Sequence, residues 1–154
     1  MKFKTKLFGS IAVISSIFCS LLMTPAVVRA NNDEYVNEVG IQLMKAIVNA
    51  GFGGYSPTHE PHIDTLYHDS SDYITINLRA GKSYGIVGVC DRDCQDLDIA
   101  LYDDRGNLIA SDLEDDDIPA IGVTPYRNGT YRVRIDMANC DSKLCYYGLG
   151  VFGQ

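Results

Sequence analysis

Apolar and polar residues alternate along this chain in two rhythms, and the change between them falls near residue 73. Over residues 33–50, DEYVNEVGIQLMKAIVNA, the apolar positions Val36, Val39, Leu43 and Ile47 recur at spacings of three and four, with Met44 and Val48 beside them. That period predicts one amphipathic helix. Asn31, Asn32 or Asp33 supplies a side chain to cap its start, and Gly51 stands where a left-handed C-terminal cap is wanted. Such a helix either closes an open side of a core or offers its stripe to a partner. Residues 51–72, GFGGYSPTHEPHIDTLYHDSSD, hold three glycines and two prolines without a sustained period, which predicts a loop.

From residue 73 onward, short alternating or apolar runs are separated by turn signals about every eight to twelve residues, the pattern of a β-sandwich or barrel. The expected strands are Tyr73–Leu78, Ser83–Cys90, Leu97–Asp103, Asn107–Ser111, Ile118–Thr124, Thr130–Met137 and Cys145–Phe152. Leu97, Ile99 and Leu101 alternate with Asp98, Ala100 and Tyr102, and Tyr131, Val133 and Ile135 with Arg132, Arg134 and Asp136, so each strand has one core face and one wet face. If consecutive strands reverse direction, the turns at 79–82, 104–106 and 125–129 share one end of the sandwich. The loops at 90–96, 112–117 and 138–144 then share the other. Asn128-Gly129-Thr130 fits the N-glycosylation pattern, but Asn-Gly before a strand is first a tight-turn signal.

Composition changes the picture by naming a compartment. Lys2, Lys4 and Lys6 precede an apolar run from Leu7 to Leu22 and then Val28-Arg29-Ala30, the layout of a secretory signal peptide spanning residues 1–30. The run is sixteen residues, interrupted by serines, and falls short of the roughly 20 that a bilayer span needs. Cys19 within it is apolar filler. Of the thirteen Lys and Arg residues four lie in this segment, leaving nine against twenty Asp and Glu, a net charge of −11 for the exported chain. That balance excludes nucleic acid and anionic membrane surfaces as natural partners. The remaining 124 residues suit one domain, with residues 31–72 as helix and His-rich loop packed onto a sandwich over 73–154.

Four cysteines follow the signal segment, and an oxidising compartment favours two disulfides. Their spacings, Cys90-x3-Cys94 and Cys140-x4-Cys145, match neither zinc ribbons nor the redox C-x-x-C. Three pairings are open. Cys90 with Cys94 and Cys140 with Cys145 is preferred because each closes a short loop, while cross-loop pairs would restrict the unfolded chain more.

The end of the sandwich that carries the cysteines also collects the candidate metal ligands Asp91, Asp93, Asp96, Asp98, Asp112, Glu114, Asp115, Asp116 and Asp117. Crowded carboxylates repel, and a hard cation with six to eight oxygen ligands relieves the repulsion, so calcium is the candidate cofactor. The plainer reading is a solvated, turn-forming surface. An EF-hand is excluded, because the required glycine is missing after Asp91-x-Asp93-x-Gln95 and after Asp112-x-Glu114-x-Asp116. The second candidate site is the stretch with every histidine, where His59, His62 and His68, with Glu60 and Asp64, offer imidazole and carboxylate ligands to a transition metal. The zincin pattern needs a helix, and His59 and His62 instead flank Pro61. No nucleophile elbow or P-loop occurs, so no catalytic residue is nominated.

Three segments, AGKSYGIVGVC (80–90), DLDIALYDDRGNLIASD (96–112) and NGTYRVRI (128–135), together resemble the bacterial pre-peptidase C-terminal domain. In that family a turn and strand lead to a D-x-D-L-type strand, a D-x-x-G-N turn and a G-x-Y-x-x-x-V strand. The resemblance covers roughly residues 70–152 and leaves the helix and His-rich loop outside it. It implies a jelly-roll-like sandwich, similar in fold to the collagen-binding domains of clostridial collagenases, acting as a targeting or binding accessory of secreted peptidases. Some such relatives bind calcium through acidic loops. The family's strand-initial Asp falls on Asp96 or Asp98, and its turn on Asp103 and Gly106. Four cysteines and a leading helix depart from the pattern.

The expected molecule is mainly β, an antiparallel jelly-roll-like sandwich of about seven to eight strands with one N-terminal amphipathic helix. It is secreted or periplasmic and not an enzyme, and it recognises a polymer, a cell-surface component or a secreted protein. The competing readings are a small periplasmic metal-dependent enzyme using His59–His68, and a structural or inhibitory partner of an extracellular protease.

Overall fold

The computed structural model describes residues 39–154. The expected signal peptide, the capping residues Asn31–Asp33 and Val36 lie outside the described residues. Helix α1 occupies residues 39–49. Nine strands follow, β1 (Ser56–Pro57), β2 (His62–Tyr67), β3 (Ser70–Leu78), β4 (Tyr84–Cys90), β5 (Cys94–Tyr102), β6 (Leu108–Asp112), β7 (Ala120–Val123), β8 (Gly129–Cys140) and β9 (Leu144–Gly153). One sheet runs β1-β9-β4-β7, with β2 also on β9, and the other runs β3-β8-β5-β6. Every pairing is antiparallel. The result is a mainly β sandwich, open at its edges rather than closed into a barrel. Among the described residues no helix is long and apolar enough to cross a membrane.

The alternation read from the sequence is the alternation of the core. Leu97, Ile99 and Leu101 of β5, Tyr131, Val133, Ile135 and Met137 of β8, and Ile76 and Leu78 of β3 face inward from one sheet. Tyr84 and Ile86 of β4 and Tyr147, Leu149 and Val151 of β9 meet them from the other. β4 and β9 are apolar on both faces because they are buried on both faces. Their outward residues Val87, Val89 and Phe152 pack against Val39, Leu43, Ala46 and Ile47 of α1. The helix approaches closely because glycines occupy the outward positions beneath it. A Cβ on Gly148 would collide with Val39 Cγ1, and one on Gly85 would lie 2.9 Å from Ile47 Cδ1 and from the Phe52 ring. The helix ends in a Schellman turn, with Phe52 N donating to Ile47 O (3.0 Å), Gly51 N donating to Val48 O (3.1 Å) and Gly51 at φ 87°.

Residues 51–72 are not a loop throughout, which corrects the sequence reading. β2 pairs with β9 over six residues, with Asp64 opposite Tyr147, and β1 extends the same edge. The strand has a period, with Ile63 beneath the helix cluster and Leu66 in the main core. His62 and Asp64 occupy the positions in step with Leu66, and polar residues at inward positions hide the alternation on which strand detection rests. β3 likewise begins at Ser70, earlier than the pattern indicated.

The Asp103-x-x-Gly106-Asn107 turn between β5 and β6 is held by one carboxylate. Asp103 Oδ1 accepts from Arg105 N (2.9 Å) and Asn107 N (2.8 Å), and Oδ2 accepts from Asn107 Nδ2 (2.9 Å). Gly106 takes φ 83°, and Arg127 pairs with Asp103 and with Asp104. These bonds, those from Asn107 first, hold the Asp103 carboxyl below the ordinary carboxylate range. The unfolded chain therefore takes up this proton first as the pH falls. The stabilisation is complete above the ordinary carboxylate pKa of about 3.9 and fades as the pH falls through the lower folded value. Asp103→Asn should lower Tm at pH 7, with the deficit shrinking as the pH falls below the ordinary carboxylate value of about 3.9; thermal melts of both proteins across that range measure it.

Candidate functional site

The loops at 90–96, 112–117 and 138–144 meet at one end of the sandwich, as alternating strand direction requires. Cys90 is bonded to Cys94 and Cys140 to Cys145, so each short loop carries its own staple. Two aspartates then pin the first loop to the third. Asp91 Oδ2 accepts from Tyr146 N (2.9 Å) while Asp91 N donates to Tyr146 O (3.0 Å). Asp93 Oδ2 accepts from Ser142 Oγ (2.7 Å), and its carbonyl accepts from Asp141 N (2.8 Å). The middle loop joins through Leu97 N donating to Asp116 O (2.9 Å), and Asp112 Oδ2 accepts from Ala120 N (2.8 Å). These aspartates hold the pole together as hydrogen-bond acceptors.

The nine nominated acidic residues therefore divide by role. Asp91, Asp93, Asp112 and Asp116 turn oxygens onto backbone amides or a hydroxyl. Glu114, Asp115 and Asp117 are exposed. Asp96 and Asp98 sit on the outward face of β5, where the pairing with β8 is irregular on both sides of Asp96. Asp98 lies directly opposite Asp136, which binds Arg134 at 2.5 Å. Burial first, then Asp115 and Asp116, push the Asp96 carboxyl above its usual range. Burial, then Asp96, Asp136 and Asp112, do the same to Asp98. Among the described residues no three of these carboxylates converge within 4.8 Å.

Beside the acidic loops, the outward face of the β2–β9 pair leaves Tyr67, Leu144 and Tyr146 exposed. Tyr67 pairs with Leu144, and Tyr146 lies opposite Thr65. Leu113 and Ile118 are exposed on the middle loop. The pole is thus acidic with apolar and aromatic faces between the charges. Neither Tyr146 nor Ser142 stands out in the sequence, because what involves them is a contact across the end of the fold.

The three histidines are not one site. His59 lies at the opposite end, its Nε2 3.1 Å from Asn77 O and its Nδ1 2.9 Å from Thr58 Oγ1, on the wall of a groove of about 710 Å³ with Arg79, Lys82 and Tyr84. His68 Nδ1 accepts from Cys140 N (3.1 Å) and its Nε2 faces Asp69 (3.3 Å). His62 alone points between the sheets, where it meets Asp64 and Asp72 with ligand atoms all within 4.8 Å of one another. β2 separates the histidines because it is a strand; Asp72 enters from β3, beyond the reach of any local motif.

No protein-family model matches the chain, and comparison with the curated proteins finds no match. Among solved structures it is similar to the pre-peptidase C-terminal domain of collagenase from Bacillus anthracis, with 18% identity over 60% of this chain and 87% of that one and a TM-score of 0.48. It is also similar to Aeromonas hydrophila PliG, a periplasmic lysozyme inhibitor of g-type lysozyme (10% identity, 62% and 85% covered, TM-score 0.47). A third is the Yersinia pseudotuberculosis-derived mitogen (16% identity, 62% and 86% covered, TM-score 0.49). The domain whose motifs residues 80–135 resemble is thus among the structures to which this chain is similar.

The electrostatics of the pole make a prediction opposite in sign to that for Asp103. A carboxyl whose folded pKa is raised stabilises most below its ordinary value, and that contribution is lost as the pH rises through the folded pKa. At pH 7 the ionised Asp96 is therefore a burden on the fold. Asp96→Asn should raise Tm at pH 7, and the gain should vanish as the pH falls below the ordinary carboxylate pKa of about 3.9; thermal melts of both proteins across that range measure it.

Proposed function

We propose that this chain is an exported, non-catalytic binding or accessory module whose working surface is the disulfide-stapled acidic pole. Its partner is a basic segment of a secreted protein, a cell-surface component or a polymer. The observation that carries this reading is the cross-pinning of the pole, in which two disulfides, the Asp91–Tyr146 and Asp93–Ser142 contacts and the bond from Leu97 N to Asp116 O hold three loops in one arrangement. A surface ordered before binding loses less entropy on association. Carboxylates interspersed with Tyr67, Tyr146, Leu113 and Ile118 suit Lys and Arg side chains, which ion pairs and aromatic faces recognise together. Export is supported by the disulfides, which persist in oxidising compartments.

Calcium belongs to the same reading. Burial first, and then neighbouring carboxylates, raise the carboxyls of Asp96 and Asp98, and a hard divalent ion accepted between β5 and the 112–117 loop would relieve the repulsive part.

The test is co-purification from the native export compartment with wild-type protein and with a Glu114→Lys/Asp115→Lys/Asp117→Lys variant, whose changes touch exposed side chains. The variant should keep its disulfides and melting transition but lose the captured partner, and wild-type capture should weaken as salt is raised. Equal capture by the two proteins would refute the assignment of the pole. A calcium titration of chelator-treated protein should raise Tm in the wild type and fail to do so in Asp96→Asn.

A further inference from the structure

Where the two sheets part, between β2 and β3, polar residues take positions that elsewhere in the sandwich hold aliphatic side chains. His62 and Asp64 are in step with the core residue Leu66 on β2, and Asp72 is in step with Ile74, Ile76 and Leu78 on β3. The two edge strands belong to different sheets, so these side chains approach from opposite layers.

His62 is half-buried while Asp64 and Asp72 stand at the solvent edge, and three observations bring them together as a ligand group. The ligand atoms of His62, Asp64 and Asp72 all lie within 4.8 Å of one another. Atoms that each lie about 2.0–2.2 Å from a common ion are separated by up to about 4 Å, so a small inward adjustment of the side chains suffices. His62 Nε2 is buried and has no hydrogen-bond partner, although buried imidazole nitrogens ordinarily have one. Finally, the carboxylates are already oriented. Asp64 Oδ1 accepts from Thr65 N (2.8 Å) and Asp72 Oδ1 from Tyr73 N (2.7 Å), and the buried Tyr147 hydroxyl lies 3.5 Å from Asp72 Oδ2. No ion pair within 4.0 Å joins His62 to either aspartate, in contrast to His68 and Asp69.

We propose that His62, Asp64 and Asp72 bind a borderline first-row divalent cation, of which zinc is the type, with Tyr147 as an outer partner that orients Asp72. One imidazole and two carboxylates suit such an ion better than a hard one, which needs more oxygens. Three protein ligands leave a coordination position for water or a ligand group. The ion bridges β2 of one sheet to β3 of the other across an open edge of the sandwich, so its binding stabilises the fold. The site is independent of the acidic pole.

Isothermal titration of untagged, chelator-treated protein with zinc chloride, paired with melting curves, tests the proposal. One zinc should bind per chain and raise Tm, and the cobalt-loaded protein should show visible d–d absorption. His62→Gln and Asp72→Asn should each weaken zinc binding by at least about tenfold, whereas a His59→Gln/His68→Gln double variant and the Lys-substituted pole variant should bind as the wild type does. If His62→Gln does not fold, Asp72→Asn and the wild-type titration still decide. Absence of heat and of a Tm shift in the wild type would overturn the proposal. So would zinc binding unchanged in Asp72→Asn, or calcium held more tightly than zinc by these residues.

Discussion

The contact between α1 and the outer face of the β9–β4 pair is the constraint on which the rest of the molecule depends. Gly85, Gly148 and Gly150 remove side chains where Val39, Leu43, Ile47 and Phe52 come down, and Val87, Val89 and Phe152 complete the interface. A strand pair covered in this way is buried on both faces, which turns a two-layer sandwich into three layers along its centre. Among the described residues, helix residues 39–49 leave Tyr67, Leu144 and Tyr146 exposed, at the end where the disulfides and acidic loops gather.

The two ends of the sandwich use the same residue type for opposite purposes. At one end Asp103 accepts three short hydrogen bonds from its own turn, and its ionised form is favoured. At the other, Asp96 and Asp98 are crowded by burial and by neighbouring carboxylates, and their ionised forms are disfavoured. Groups held against their preferred charge state are common where proteins meet ligands, although structural networks produce them as well. Here the disfavoured charges sit beside exposed apolar side chains on a cross-linked surface, an arrangement suited to a partner that brings positive charge.

Much of this architecture was legible because the core obeys a period of two. Leu97, Ile99 and Leu101 against Asp98 and Tyr102 mark β5 and its buried face, and reversal of direction at each turn places the acidic loops together. Three features were not legible, each for a physical reason. β2 carries His62 and Asp64 on its inward face, so its alternation is not one of apolar against polar. The outward glycines of β4 and β9 read as weakening in a strand, and their meaning is supplied by a helix distant in sequence. The division of the acidic residues into acceptors such as Asp91 and Asp93 and crowded charges such as Asp96 depends on hydrogen bonds between loops some fifty residues apart, which composition does not encode. The D-x-x-G-N motif belongs to the family resemblance, and Asp103 is the acceptor that shapes that turn.

The close approach of helix and sheet is tested most directly by adding one methyl group at two glycines and comparing thermal unfolding. Gly148→Ala places a Cβ against Val39, whose branched side chain has little freedom to move, whereas Gly40→Ala, in the helix with open space around it, improves helix propensity. The account predicts that Gly148→Ala destabilises by about 1–3 kcal/mol while Gly40→Ala is neutral or stabilising by up to about 1 kcal/mol. A Gly148→Ala protein as stable as the wild type would contradict it, because the helix would then not lie on the glycine face that the whole arrangement requires.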